Sequence, residues 1–384
     1  MSLRAQIARS AADTLAAASM PPCLVGFDGF IDSITDMVDR RHTMSPEGYS
    51  RLPTIASFAE RCAAAAGRST NIERVVKERR FGGNGPLMAG ALARLGCPTA
   101  FIGAIGAESE TPGAIHPTFA EFASWCDRVI PICPPCETVC LEFDDGKLML
   151  NETSGVQRVT WPRLVEAIGL DQIRAAVERA RLLGIVNWSL MGGVPGIWEG
   201  LIRDVLPAIT AAPRRLMIDL SDPAKRSDPD IADALAILAR LEAAGMRVTL
   251  GLNLAEAVRL DAVADTRMLG DPDINSDRLV AAADSLRRCL RIDTIVIHPR
   301  QGAAAATPHD AGWFDGPLTP RPRLSTGAGD HFNAGFALAQ ALSLPLAQCL
   351  AVGCAESGVY VRDARSPDCF RLLEFLRDLP QPEI

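Results

Sequence analysis

The chain has 384 residues, is 48% hydrophobic and carries a formal net charge of −7. That is enough apolar chain for one large or two ordinary domains that fold unaided. The acidic balance argues against nucleic acid or an anionic membrane as a partner, since both are met by a basic face, and no apolar run is long enough to predict a membrane span.

The opening MSLRAQIARSAADTLAAASMPP predicts an amphipathic helix stopped by Pro21-Pro22. CLVGF (23–27) predicts a strand, and the polar, turn-rich stretch 29–50 interrupts the pattern. GPLMAGALARLG (85–96) predicts a helix and TAFIGAIG (99–106) a strand. In ETVCLEFDDGKLMLNETSG (137–155), two strand-like runs flank Asp144-Asp145-Gly146, a hairpin signal. Helical stretches at 161–180, 196–210, 230–244 and 276–290 then precede strands at 181–188, 214–221, 246–253 and 293–299. This alternation predicts an α/β fold with a mainly parallel central sheet and helices on both faces. The segments at about 29–50 and 131–155 are expected to add a small β-lid. No repeat or low-complexity linker divides the chain, so residues 1–384 read as a single domain with that lid.

Eleven cysteines, an odd number scattered along a long chain, fit a reducing cytoplasm better than a disulfide framework. Cys126, Cys133, Cys136 and Cys140 cluster, but a second CxxC is missing, so buried thiols are expected rather than a zinc site.

The stretch LSTGAGDHFNAGF (324–336) concentrates the chemistry. Its small residues let backbone N–H groups approach a phosphate, and apolar spacing from Ala328 onward places them at a helix N-terminus, which favours an anion. Asp330 falls in the first turn, where it either caps the helix or takes a proton from a hydroxyl attacking that phosphate. The pattern is neither GxxxxGK[ST] nor a Rossmann GxGxxG.

TGAGDHFNAGF closely resembles the C-terminal signature of the ribokinase-like carbohydrate kinases, the phosphofructokinase-B type. FGGNGPLMAGALARLG (81–96) is similar to that family's Gly-Gly motif, NLAE (253–256) to its Asn-x-x-Glu motif, and the 137–155 hairpin sits where the family has its lid. The resemblance spans nearly the whole chain. It implies an ATP-dependent kinase that phosphorylates a hydroxyl of a small sugar. Asp330 would be the general base, and Gly327, Ala328 and Gly329 the backbone donors to the transferring phosphoryl group. Asp28 and Asp32 are both candidates for sugar hydroxyls, with Gly82 and Gly83 letting the sugar pack on backbone. Asn253 and Glu256 resemble the pair that organises Mg2+ through water; the same spacing also makes an N-cap box.

Two departures leave the substrate and nucleotide open. Leu87 stands where the family commonly has Asn, and Asn84 follows the Gly pair instead. In IVIHPRQGAA (295–304), Ile297 and Pro299 replace the family's Thr and Gly, and Gly302 alone matches. Arg300 is either a phosphate contact or a solvated turn arginine. A nucleoside or sugar-phosphate kinase, or a non-catalytic binding homologue, are the alternatives. The resemblance is also compatible with a homodimer through the lid and with a monovalent cation.

Overall fold

The computed structural model describes residues 1–108, 113–210, 214–270 and 274–383. Among them, fourteen strands form two sheets. In chain order they are β1 (Cys23–Phe27), β2 (Phe30–Arg41), β3 (Tyr49–Arg51), β4 (Arg74–Gly82), β5 (Thr99–Gly103), β6 (Arg128–Pro131) and β7 (Cys136–Phe143). Then follow β8 (Gly146–Asn151), β9 (Leu182–Val186), β10 (Arg214–Asp219), β11 (Met246–Leu252), β12 (Thr294–Ile297), β13 (Gly302–Ala306) and β14 (Ala311–Asp315).

The large sheet runs β14-β13-β12-β11-β10-β9-β1-β5-β6. From β12 to β6 every pairing is parallel; β13 and β14 close one edge antiparallel. Neighbouring residues of one strand enter different cores. Leu216 and Ile218 of β10 join one cluster and Met217 the other. A strand's side chains alternate faces, so both faces must be covered, and the strands read as unbroken apolar runs. The helices do the covering, as the alternation predicts.

This topology also locates chemistry. In open α/β sheets ligands gather at the carboxyl ends of the strands. Asp28 follows β1, Asn187 follows β9, Asp219 ends β10, Asn253 follows β11 and His298 follows β12.

The second sheet runs β3-β2-β7-β8, with β4 paired to β2. It has its own small core of Met37, Leu52, Leu141 and Phe143, packed against Ile55 and Phe58 of the helix Ile55–Ala64. The β7–β8 hairpin forms at the expected place. The polar stretch 29–50 does not stay turn-rich: residues 30–41 are one long strand, β2. Its buried positions include Asp32, Ser33 and Thr35, so the apolar alternation that marks a strand is missing. The sheet also recruits β3 and β4, more chain than the sequence suggests. The helical stretch 161–180 is two helices, Trp161–Ile168 and Leu170–Arg179, broken at Gly169.

The N-terminal helix forms over Leu3–Ala17. No described helix is long and apolar enough to cross a membrane. All eleven cysteines are free, and Cys133, Cys136 and Cys140 are buried. Burial pushes Cys133 and Cys140 up to about 11. Among the described residues no group of three or more His, Cys, Asp or Glu could hold a metal ion by itself.

Candidate active site

The TGAGD segment is a loop running into the helix Ala328–Ala341, with Gly327 as the N-terminal cap residue. Gly327 has φ +89, and a Cβ there would lie 2.9 Å from the Tyr360 hydroxyl and 3.0 Å from Leu87. Glycine is required on both counts. The loop is held from behind. The Tyr360 hydroxyl donates to the Thr326 carbonyl at 2.8 Å. His331 Nδ1 donates to the Gly327 carbonyl at 2.7 Å, which leaves Nε2 to accept from Ser366 Oγ at 2.8 Å. Burial pushes this imidazole down to about 4, and it stacks on Tyr360, so it is a neutral packing group. The Ala328 N–H donates to the Ser325 carbonyl at 3.2 Å, whereas Gly329 and Asp330 lie in the first turn, where N–H groups have no intrahelical acceptor.

Two clefts meet at this first turn. One, of about 370 Å³, is lined by Asp32, Gly83, Asn84, Asn187, Gly327 and Asp330 among others. The other, of about 230 Å³, is lined by His298, Arg300, Gly302, Ala328, Gly329 and Phe332 among others. The helix N-terminus is the wall between them.

Asp330 is 5% exposed, and Asn84 Nδ2 donates to its Oδ1 at 2.8 Å. Burial raises its pKa well above the carboxylate range; the charges of Asp219, Asp28 and Glu256 add to this, and the Asn84 bond opposes it. Asp219 accepts from the Ser221 N–H at 2.7 Å and from Asn333 Nδ2 at 2.7 Å. Glu256 lines the larger cleft and accepts from the backbone N–H groups of Asp222 and Asn253, each at 2.9 Å. Burial first, then Asp219, pushes Glu256 up to about 8. Asn253 Oδ1 accepts from the Glu256 N–H at 3.0 Å, completing a capping box. NLAE is therefore a helix cap that also fixes a buried carboxylate at the cleft. Packing several carboxylates into one buried region is unfavourable unless a cation joins them. Each Glu256 oxygen already accepts one N–H, which leaves lone pairs for water and suits a magnesium ion that keeps its waters.

The two candidates for sugar hydroxyls separate. Asp32 of β2 lines the cleft; burial raises its pKa, and the charges of Arg80 and Lys147 oppose this. Asp28 is fully buried behind the wall and accepts from the N–H groups of Asn84 (2.9 Å) and Gly85 (2.7 Å) and from Asn187 Nδ2 (2.7 Å). It ties down the start of the helix Asn84–Arg94, and burial pushes it up to about 6 despite those bonds. At Gly82 a Cβ would lie 2.5 Å from Asp32 Oδ1, so the glycine makes room for that carboxylate. Arg300 is exposed at the mouth of the smaller cleft, and Gly302 is buried at its floor.

Some cleft residues had no signal in motif matching. Asn187 lines the same cleft as Asp330, has φ 65, and keeps a buried Oδ1 with no protein partner. Its position directly after an apolar parallel strand is the clue that could have found it. Thr138 and Asn151, on β7 and β8, line the cleft and bond to each other at 3.0 Å. From β8, Lys147 Nζ donates to Thr326 Oγ1, joining the second sheet to the glycine loop.

Residues 4–379 match the model of the prokaryotic ketohexokinase family. A ketohexokinase from Haloferax volcanii is 31% identical over 354 residues, covering 92% of this chain and 90% of its own. A ribokinase from Arabidopsis thaliana, solved with ribose and ATP, superposes with a TM-score of 0.61 at 17% identity, covering 94% of this chain and 99% of that one. A phosphofructokinase-2 variant from Escherichia coli gives 0.63 at 16% identity, with the same coverages. Sequence family, fold and the motifs at the carboxyl edge of the sheet agree: the chain belongs to the prokaryotic ketohexokinase family, and is an ATP-dependent carbohydrate kinase with the ribokinase-like fold.

Proposed function

We propose that the protein transfers the γ-phosphoryl group of ATP to a hydroxyl of a ketohexose, with Asp330 as the general base. The observation that carries this reading is the position of one helix N-terminus between two clefts. Gly327 and Asp330 line the larger, and Ala328 and Gly329 the smaller. A sugar in the larger cleft would face a polyphosphate in the smaller across the first turn. The name of the Haloferax relative and of the family model supports a ketohexose as the acceptor.

The acceptor hydroxyl gives its proton to Asp330 as its oxygen attacks the γ-phosphorus, and ADP leaves from the opposite side. Asn84 holds the Asp330 carboxylate in place through Nδ2. Charge gathering on the phosphoryl oxygens meets the first-turn N–H groups of the helix, chiefly those of Gly329 and Asp330, since the Ala328 N–H also serves the turn. Phosphoryl transfer depends on such positioning and charge stabilisation more than on covalent chemistry. Asp32, Asn84 and the unpaired Oδ1 of Asn187 would take the sugar hydroxyls, with Asp28 holding Asn84 and Asn187 in register. Glu256, fixed by Asn253 and beside Asp219, would hold Mg2+ through water, and the ion would neutralise phosphate charge. The second sheet would act as the lid that keeps water from the phosphoryl group. Its exposed Leu150 and Val76 support a homodimer formed through it.

The test is ATP consumption by the purified protein with Mg2+, across ketohexoses, aldohexoses, ribose, nucleosides and fructose 6-phosphate. The highest kcat/KM is expected with a ketohexose, and 31P NMR of the product identifies the hydroxyl. A higher kcat/KM for a nucleoside or a sugar phosphate would overturn the substrate assignment. Binding without turnover on every acceptor would overturn the catalytic one.

A further inference from the structure

We propose that Tyr360 and His331 are positioning residues for the transfer: they clamp Gly327 between them and so aim its N–H at the transferring phosphoryl group. This rests on the reading that the glycine loop faces that group. The Tyr360 hydroxyl donates to the Thr326 carbonyl at 2.8 Å. In a planar trans peptide the N–H points opposite to the carbonyl. The bond on the Thr326 oxygen therefore turns the Gly327 N–H away from Tyr360, and among the described residues that N–H has no acceptor. On the other side of Gly327, His331 supplies two donors to one carbonyl, its own N–H at 3.1 Å and Nδ1 at 2.7 Å. The peptides before and after Gly327 are thus each held by a side chain.

The glycine itself makes such a clamp necessary. Gly327 has φ +89, and a glycine moves between positive and negative φ at little cost. Without the two side-chain bonds, the Thr326–Gly327 peptide is free to turn its N–H elsewhere. The place of the loop has separate supports. The N–H groups of Arg323 and Leu324 donate to the Val361 carbonyl at 2.8 and 3.3 Å, tying the loop to the helix Leu346–Asp363. The Tyr360 hydroxyl is therefore spare as an anchor and specific as a guide. Both rings are themselves fixed. They stack with centroids 3.6 Å apart and planes inclined by 17°, and Ser366 Oγ holds His331 Nε2 at 2.8 Å. Burial raises the Tyr360 pKa well above the ordinary phenol range, so the hydroxyl keeps its proton and stays a donor. Neither ring lines either of the two clefts, so both act through Gly327.

The experiment compares Tyr360→Phe, His331→Phe and His331→Asn with the full-length wild type. Tyr360→Phe removes only the hydroxyl and keeps the stacked ring. His331→Asn keeps an amide donor where Nδ1 stands, and His331→Phe has none. The readouts are kcat and KM for fructose, melting temperature, and calorimetric affinity for ADP with Mg2+ and fructose, with and without aluminium fluoride. Aluminium fluoride beside ADP stands in for the phosphoryl group in flight. Tyr360→Phe is expected to lower kcat about tenfold and to lose about as much affinity for the fluoride complex, the weight of one misdirected donor. Fructose KM and affinity for ADP alone stay within about twofold. His331→Phe behaves likewise, and His331→Asn recovers most of the loss. Wild-type kcat and fluoride-complex affinity in a folded Tyr360→Phe would overturn the proposal, and so would an equal loss of kcat and of affinity for ADP alone, the mark of a merely structural role. His331→Asn no better than His331→Phe would overturn the part given to His331. A wild type that binds ADP no more tightly with aluminium fluoride than without it would overturn the assignment of the loop to the phosphoryl group, and the proposal with it.

Discussion

Asp28 and Asp330 are the same residue type, both buried, yet their neighbours assign them opposite tasks. Asp28 faces two backbone N–H groups and one amide, which consume both of its oxygens. Asp330 faces one amide and a cleft. Removing Asp28 leaves three buried donors without an acceptor, at about 1–3 kcal/mol each when fully orphaned. Asp28→Ala is therefore expected to lose at least about 3 kcal/mol of stability in urea unfolding at unchanged m. A loss under about 0.5 kcal/mol, with only sugar KM affected, would contradict the anchoring role. For Asp330 the pH dependence follows from the sign of its shift. Its raised pKa means that it holds a proton at pH values where an ordinary aspartate is ionised. A base must be deprotonated, so kcat/KM falls as pH is lowered, starting well above pH 4. The measurement is a rate profile from pH 5 to 9, and a profile flat down to pH 5 would contradict it.

The elements differ in how openly the sequence displays them. β9 to β12 are short apolar runs behind amphipathic helices, so period and length sufficed. The β7–β8 hairpin was legible from its Asp-Asp-Gly turn. β2 was not, because its buried side faces a polar cleft and a smaller core, placing Asp32, Ser33 and Thr35 where apolar residues are expected. β13 reads GAAAA, a sequence with little strand preference that is held by pairing between β12 and β14. The same logic applies to the site. The glycine loop, Asn84 and Glu256 lie in contiguous motifs, whereas Asn187 and Asp219 are single residues at strand ends that only the folded sheet brings together. The reach of Lys147 from β8 to Thr326 also depends on the fold. Lys147→Ala is expected to lower kcat by about tenfold and to raise the ATP hydrolysed per sugar phosphorylated, because the proposed lid would exclude water from the phosphoryl group. ADP release measured with and without fructose checks this. An unchanged coupling ratio would show that the contact does not hold the lid.

At the scale of the whole molecule, the carboxyl edge of the large sheet and the second sheet line one cleft together. Leu150, 56% exposed on β8, is the apolar mark of a surface that another copy could cover. Light scattering is expected to give a dimer for the wild type and a monomer for Leu150→Asp; a monomeric wild type at micromolar concentration would contradict the lid-mediated pairing. The central claim is narrower: two clefts share one helix N-terminus, and Asp330 takes the proton there. Steady-state phosphorylation of a ketohexose by Asp330→Asn tests it most directly. The substitution keeps the shape and can still accept from Asn84, so folding and ADP binding should persist while kcat falls by about 10²–10⁴-fold. A folded Asp330→Asn protein with near wild-type kcat would contradict the account.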